Sequence, residues 1–101
     1  MNIFKDILVN KEQEEFIDLV KSKNIRIERI VSNGQTSEKD FWYEQDENEF
    51  VLLLEGDAII EFEDKEIELK KGDYIDIKEK IKHRVKYTSE SEPTIWLAVF
   101  Y

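Results

Sequence analysis

One histidine, His83, stands in a chain of 101 residues that has no cysteine. Imidazole titrates near pH 6.5, so His83 can move a proton, accept a hydrogen bond or bind a metal through a neutral ring nitrogen. It can equally be a core histidine held by a single hydrogen bond. A carboxylate beside it would complete an acid–base pair, and Glu49 is the candidate. It opens the apolar run at residues 50–54, where alternation places Glu49, Val51 and Leu53 on one face. An inward carboxylate needs a hydrogen-bond, charge or metal partner to offset its desolvation. The other placement leaves Glu49 in solvent beside Asp46 and Glu47. Tyr43 and Gln45 share a face if the chain is extended there, and a phenol with an amide can hold a polar ligand. They can also belong to an ordinary mixed strand. The lack of cysteine removes disulfides, thiolate nucleophiles and thiolate-held metals.

These side chains need a scaffold, and the periodicity describes one. Residues 11–23 predict a helix, with Asn10 as cap and Gln13 as its capping-box partner. Glu12, Glu14 and Glu15 fall in its first turn, and Lys21 and Lys23 near its end, as the macrodipole favours. Phe16, Ile17, Leu19 and Val20 form its apolar stripe. After Asn24 the period drops to two, with Ile25, Ile27 and Arg29 alternating with Arg26, Glu28 and Ile30. Residues 41–43, Phe-Trp-Tyr, are strand-like. Residues 50–54 and 94–101 are apolar on both faces, so both faces must be covered. Ala58, Ile60 and Phe62 alternate with Ile59, Glu61 and Glu63, and Asp64-Lys65 marks a hairpin turn. Residues 81–87 place Ile81, His83, Val85 and Tyr87 on one, inner, face. Turn signals at Gly34, Gly56 and Gly72 separate short strands of regular spacing, the pattern of a sandwich or barrel. One domain over residues 1–101 is expected, with a barrel from about residue 25 onward.

The composition narrows the partners. Acidic residues outnumber basic ones, 24 to 15, for a net charge of −9. No basic stripe interrupts the acidity, which argues against nucleic acid and against an anionic membrane surface. No basic n-region with a long apolar core opens the chain, and no apolar run is long enough to span a bilayer. The expected location is the cytoplasm.

The spacing Glu49-(six residues)-Gly56, then Gly72-(ten residues)-His83, resembles the two motifs of the cupin superfamily. So do Phe-Trp-Tyr-Glu-Gln at 41–45, Phe-Val-Leu-Leu-Leu-Glu-Gly at 50–56, Leu-Lys-Lys-Gly-Asp-Tyr at 69–74 and Thr-Ile-Trp-Leu-Ala-Val at 94–99. The resemblance covers residues 25–101. It implies an all-β fold, a double-stranded β-helix or jelly-roll barrel, here with a short N-terminal helix. It also implies dimers built through sheet contacts, and a metal held by a His-x-His pair, a Glu and a later His. Glu49 matches the glutamate and His83 the late histidine. The pair falls on Tyr43 and Gln45, neither of which is a histidine. The second motif's usual Pro and Gly fall on Lys78 and Lys80, and its usual Asn on Tyr87. The first motif's leading Gly falls on Ser37.

A divalent metal at Tyr43, Gln45, Glu49 and His83 would be Zn, Mn, Fe or Ni, among which an imidazole with oxygen donors chooses weakly. Three functions stay open: a small-molecule-binding domain with a polar site inside the barrel, a metal-dependent dioxygenase or isomerase acting on a small oxygenated substrate, and a subunit whose barrel serves assembly. Fold does not choose among them. A homodimer is expected, because a chain of this length has little to cover the outer faces of 50–54 and 94–101.

Overall fold

The computed structural model describes residues 1–101 as eight strands and no helix. They are β1 (Glu15–Lys21), β2 (Arg26–Ser32), β3 (Glu49–Glu55), β4 (Asp57–Phe62), β5 (Glu66–Lys70), β6 (Tyr74–Ile77), β7 (His83–Thr88) and β8 (Thr94–Phe100). A five-stranded sheet in the order β1-β2-β8-β3-β6 faces a three-stranded sheet in the order β5-β4-β7. Every pairing is antiparallel. The period-two pattern sets which side chains meet. Leu53 opposes Trp96, Val51 opposes Ala98, and Ile60 opposes Val85. These residues, with Phe62, Leu69, Ile77 and Phe100, make one core between the sheets. The barrel is the expected jelly roll. No helix is long and apolar enough to cross a membrane.

The predicted helix at residues 11–23 is a strand instead. Phe16, Ile17, Leu19 and Val20 lie in β1, paired from Glu15–Val31 to Lys21–Arg26. The register shifts between Asp18 and Val20, so Leu19 is an extra residue in a bulge. A bulge breaks strict alternation and produces spacings of three and four, which imitate a helical stripe. The helix would leave the outer edge of β2 unpaired, whereas the strand uses that edge. Asn10, read as a helix cap, closes a turn: its Oδ1 accepts the Glu12 N–H at 2.8 Å.

Two more expectations give way for local reasons. Residues 41–43 form no strand; Tyr43 makes a single antiparallel bridge to His83. On β7, Ile60 pairs with Val85 but Ile59 with Tyr87, so Lys86 is inserted as a second bulge. Beyond it the faces exchange. Thr88 turns inward and is buried, while Tyr87, expected inside with Ile81, is exposed; Ile81 lies before the strand and is also exposed.

Arg29 is buried at 4% exposure on the outer face of β2. Its guanidinium donates to the carbonyls of Ile3 at 3.1 Å and Lys5 at 2.8 Å and pairs with Glu15 at 2.7 Å. It therefore holds the first residues across the sheet. Gly56 carries the chain from β3 in one sheet to β4 in the other with φ +90°.

Candidate functional site

Between the two sheets lies a cavity of ≈ 120 Å³ beside the core, open to solvent on one side past Phe16 and Tyr43. Its larger wall comes from the five-stranded sheet, in cross-strand rows. Phe16, Ile30 and Trp96 make one row, Glu28 and Val51 flank Ala98 in the next, and Phe100 and Glu49 make a third. Ile60, Val85 and His83 close it from the small sheet, and Tyr43 and Gln45 from the preceding loop. The four residues singled out in the sequence thus meet in one pocket.

His83 is 5% exposed. Its Nδ1 lies 2.9 Å from the Ile81 carbonyl, so that nitrogen carries a proton and donates. Nε2 then faces Glu49 Oε1 at 3.3 Å. A neutral ring would present a lone pair to a carboxylate, whereas an imidazolium donates at both ends. Burial alone would push the imidazole down. The Glu49 hydrogen bond, the Ile81 carbonyl and the Glu49 charge together outweigh it and hold His83 above its ordinary value. Tyr43 stacks on His83, with ring centroids 5.7 Å apart, and its backbone exchanges hydrogen bonds with His83 at 2.8 and 3.1 Å. Burial raises the Tyr43 phenol, and the charges of Glu14, Glu49 and Glu38 raise it further. Gln45 fixes the loop by accepting the Lys80 N–H on its backbone carbonyl at 2.7 Å. Its side-chain Oε1 is buried without a hydrogen-bond partner.

The His83 pairing makes a prediction. The unfolded imidazole titrates near 6.5. Because the folded value is higher, protonation of His83 stabilises the fold fully below about pH 6.5, and that contribution is lost as pH rises through the folded value. The His83 ring-proton resonance in NMR should therefore show a midpoint above that of a free histidine, and Glu49→Gln should move it down. A midpoint unchanged by Glu49→Gln would mean that the pair does not couple.

Sequence reading missed Glu14 and Glu28. Glu14 precedes β1, hydrogen-bonds the Ser32 hydroxyl, and lines the pocket. Trp96 Nε1 donates to the same hydroxyl at 3.1 Å. Glu28 pairs with Arg26 at 2.8 Å. Burial raises Glu14, partly offset by Ser32. Burial also raises Glu28; Arg26 opposes that rise and Asp18 adds to it. Glu28 shares its parity with Ile30 and Ser32, a signal present in the sequence. Glu14 gave none while residues 11–23 read as helix.

The metal expected from the motif resemblance needs donors, and the set is short. His83 and Glu49 supply one imidazole and one carboxylate. Gln45 Oε1 is a neutral amide oxygen, and the Tyr43 phenol is held in its protonated form. Nowhere do three or more His, Asp or Glu side chains converge in a metal-holding arrangement. Resident transition metals take three or four strong donors, so these residues do not fit one.

Comparison with known proteins agrees with the geometry. The family model described as "Cupin domain" matches residues 29–100. A crystal structure of a proposed mannose-6-phosphate isomerase from Ralstonia eutropha JMP134 is 39% identical, covers 99% of this chain and 94% of its own, and superposes with a TM-score of 0.95. A cupin superfamily protein of Desulfitobacterium hafniense DCB-2 is 20% identical over 93% of this chain and 82% of its own, with a TM-score of 0.78. A protein of Thermus thermophilus is 17% identical over 99% and 93%, with a TM-score of 0.82. No significant match is found among curated proteins. With its two facing sheets, its paired Glu49 and His83 inside them, and a family match over residues 29–100, the chain belongs to the cupin domain family.

Proposed function

We propose that this is a cytoplasmic cupin that binds a small organic molecule inside its barrel without a resident metal. One observation carries the reading: an apolar cavity into which His83, Glu49, Tyr43 and Gln45 converge, with Gln45 Oε1 buried and unpartnered. Ligand pockets combine apolar walls with a few convergent polar groups, and a buried acceptor lacking a donor is costly until a ligand supplies one. A thermal-shift screen of metal-free protein against small neutral, cationic and anionic compounds tests this. At least one class should raise the melting temperature, and His83→Ala should abolish the shift while the fold persists. A screen with no shift in any class would sink the reading.

A second reading, a metal-dependent isomerase or dioxygenase, has the description of the Ralstonia protein in its favour. The weak donor set stands against it. So does the absence of any Lys or Arg among the pocket residues to receive a phosphate. Ligand binding lost in chelator and restored by Zn, Mn, Fe or Ni would replace the first reading with this one.

The protein works as a homodimer in this proposal. On the outer face of the large sheet, Ile27, Val99 and Phe50 form a half-exposed apolar row. Ile17 and Leu19 extend apolar surface on to the open edge strand β1. A second copy can cover both while obeying two-fold symmetry. Light scattering at micromolar concentration should give twice the 12.1 kDa chain mass; a monomer mass removes the claim.

A further inference from the structure

The pocket's charge is one-sided. Its lining carries three carboxylates, Glu14, Glu28 and Glu49, and no Lys or Arg. His83 answers Glu49, and Arg26 answers Glu28 from the rim. Arg26 is itself shared with Glu47 at 3.5 Å and lies over the Phe100 ring at 4.2 Å. Glu14 has only the Ser32 hydroxyl, and nothing positive offsets its burial. Asp18 adds a further carboxyl beside Glu28.

One buried side-chain polar atom of the lining has no partner. Gln45 Oε1 is an acceptor without a donor. A carboxylate is acceptor-only when ionised, so Glu14 presents acceptors too. The apolar walls include Phe16, Tyr43, Trp96 and Phe100, and aromatic rings attract cations. The Arg26–Phe100 contact shows one such ring already holding a guanidinium. A neutral alcohol would satisfy Gln45 Oε1 but leave Glu14 without a counter-charge, and an anion would add repulsion.

Building on the proposed binding role of this pocket, we infer that its ligand is a small organic cation: a primary ammonium on a compact apolar body. The ammonium pairs with Glu14, and the body packs on Trp96 and Ile60. A cavity of ≈ 120 Å³ is close to one that holds benzene, so the enclosed part has on the order of six heavy atoms.

Three probes of one shape and different charge decide it: 3-methylbutylamine, 3-methylbutan-1-ol and 3-methylbutanoate, titrated into the intact protein by NMR at pH 7 in low salt. The amine should bind about tenfold or more tighter than the alcohol, and the acid weakest. Glu14→Gln should bring the amine down toward the alcohol. Glu28→Gln gives a second reading on a different strand if Glu14→Gln loosens the segment before β1. If the alcohol or the acid binds as tightly as the amine, the pocket remains a binding site and the charge inference falls. If none of the three binds, the inference falls as well, and the broader thermal-shift screen then decides the pocket by itself.

Discussion

Truncating Leu53 to alanine is expected to cost about 2–5 kcal/mol of folding stability, the range for large-to-small changes in a packed core. Leu53 has 0% exposure and sits mid-strand in β3, directly opposite Trp96. Its backbone is fixed on the other side, where its N–H donates to the Asp73 carbonyl at 2.9 Å and its carbonyl accepts the Gly72 N–H at 2.7 Å. With both neighbours held by sheet hydrogen bonds, the site can collapse little around the missing atoms, which favours the upper part of the range. Urea unfolding followed by tryptophan fluorescence measures it. A loss below about 1 kcal/mol would place Leu53 outside the core and reverse the facing of β3.

Gly56→Ala should be comparably damaging for a different reason. At φ +90° a side chain is strained before any contact is counted. A Cβ there would also stand 2.6 Å from Thr94 Cα and 2.9 Å from the Pro93 carbonyl oxygen. Those are backbone atoms at the start of β8, so no side-chain rotation relieves the collision. The crossing between sheets and the entry of β8 must both move, at a cost of about 2–4 kcal/mol. Thr94 Oγ1, which donates to the Asp57 carbonyl at 3.2 Å, would be displaced as well. The same urea experiment applies, and Gly72→Ala is the internal comparison. Gly72 has the same φ of +90°, but nothing lies within 4 Å of a Cβ built there. The difference between the two variants isolates the collision from the strain. Equal losses would show that the collision is relieved.

The convergence of Glu49 and His83 was legible because each opens a strand whose first three residues alternate without a bulge. Counting by twos from Val51 to Glu49, or from Val85 to His83, crosses no irregularity. The same counting failed at Tyr87 because Lys86 is an inserted residue, and nothing in the local composition announces it. It failed at residues 11–23 because Leu19 is inserted too, and the broken alternation matched the helical period. Glu14 was hidden behind that error. Its place in the pocket follows only once β1 pairs with β2, a contact no local pattern encodes. Lys80 shows the converse. The family's usual glycine is missing there, yet the left-handed turn persists, with φ +64°. The fold tolerates a non-glycine residue at that corner, so the missing glycine was no evidence against the barrel.

The last of the eight strands to leave the ribosome, β8, lies at the centre of the five-stranded sheet, hydrogen-bonded to β2 on one side and β3 on the other. During synthesis β2 and β3 have no common neighbour until residues 94–100 arrive. Half of the barrel therefore waits, with the inner faces of β2 and β3 open to water and to other chains. Closing so long a loop costs entropy before any contact compensates for it, so folding should be slow for a domain of this size.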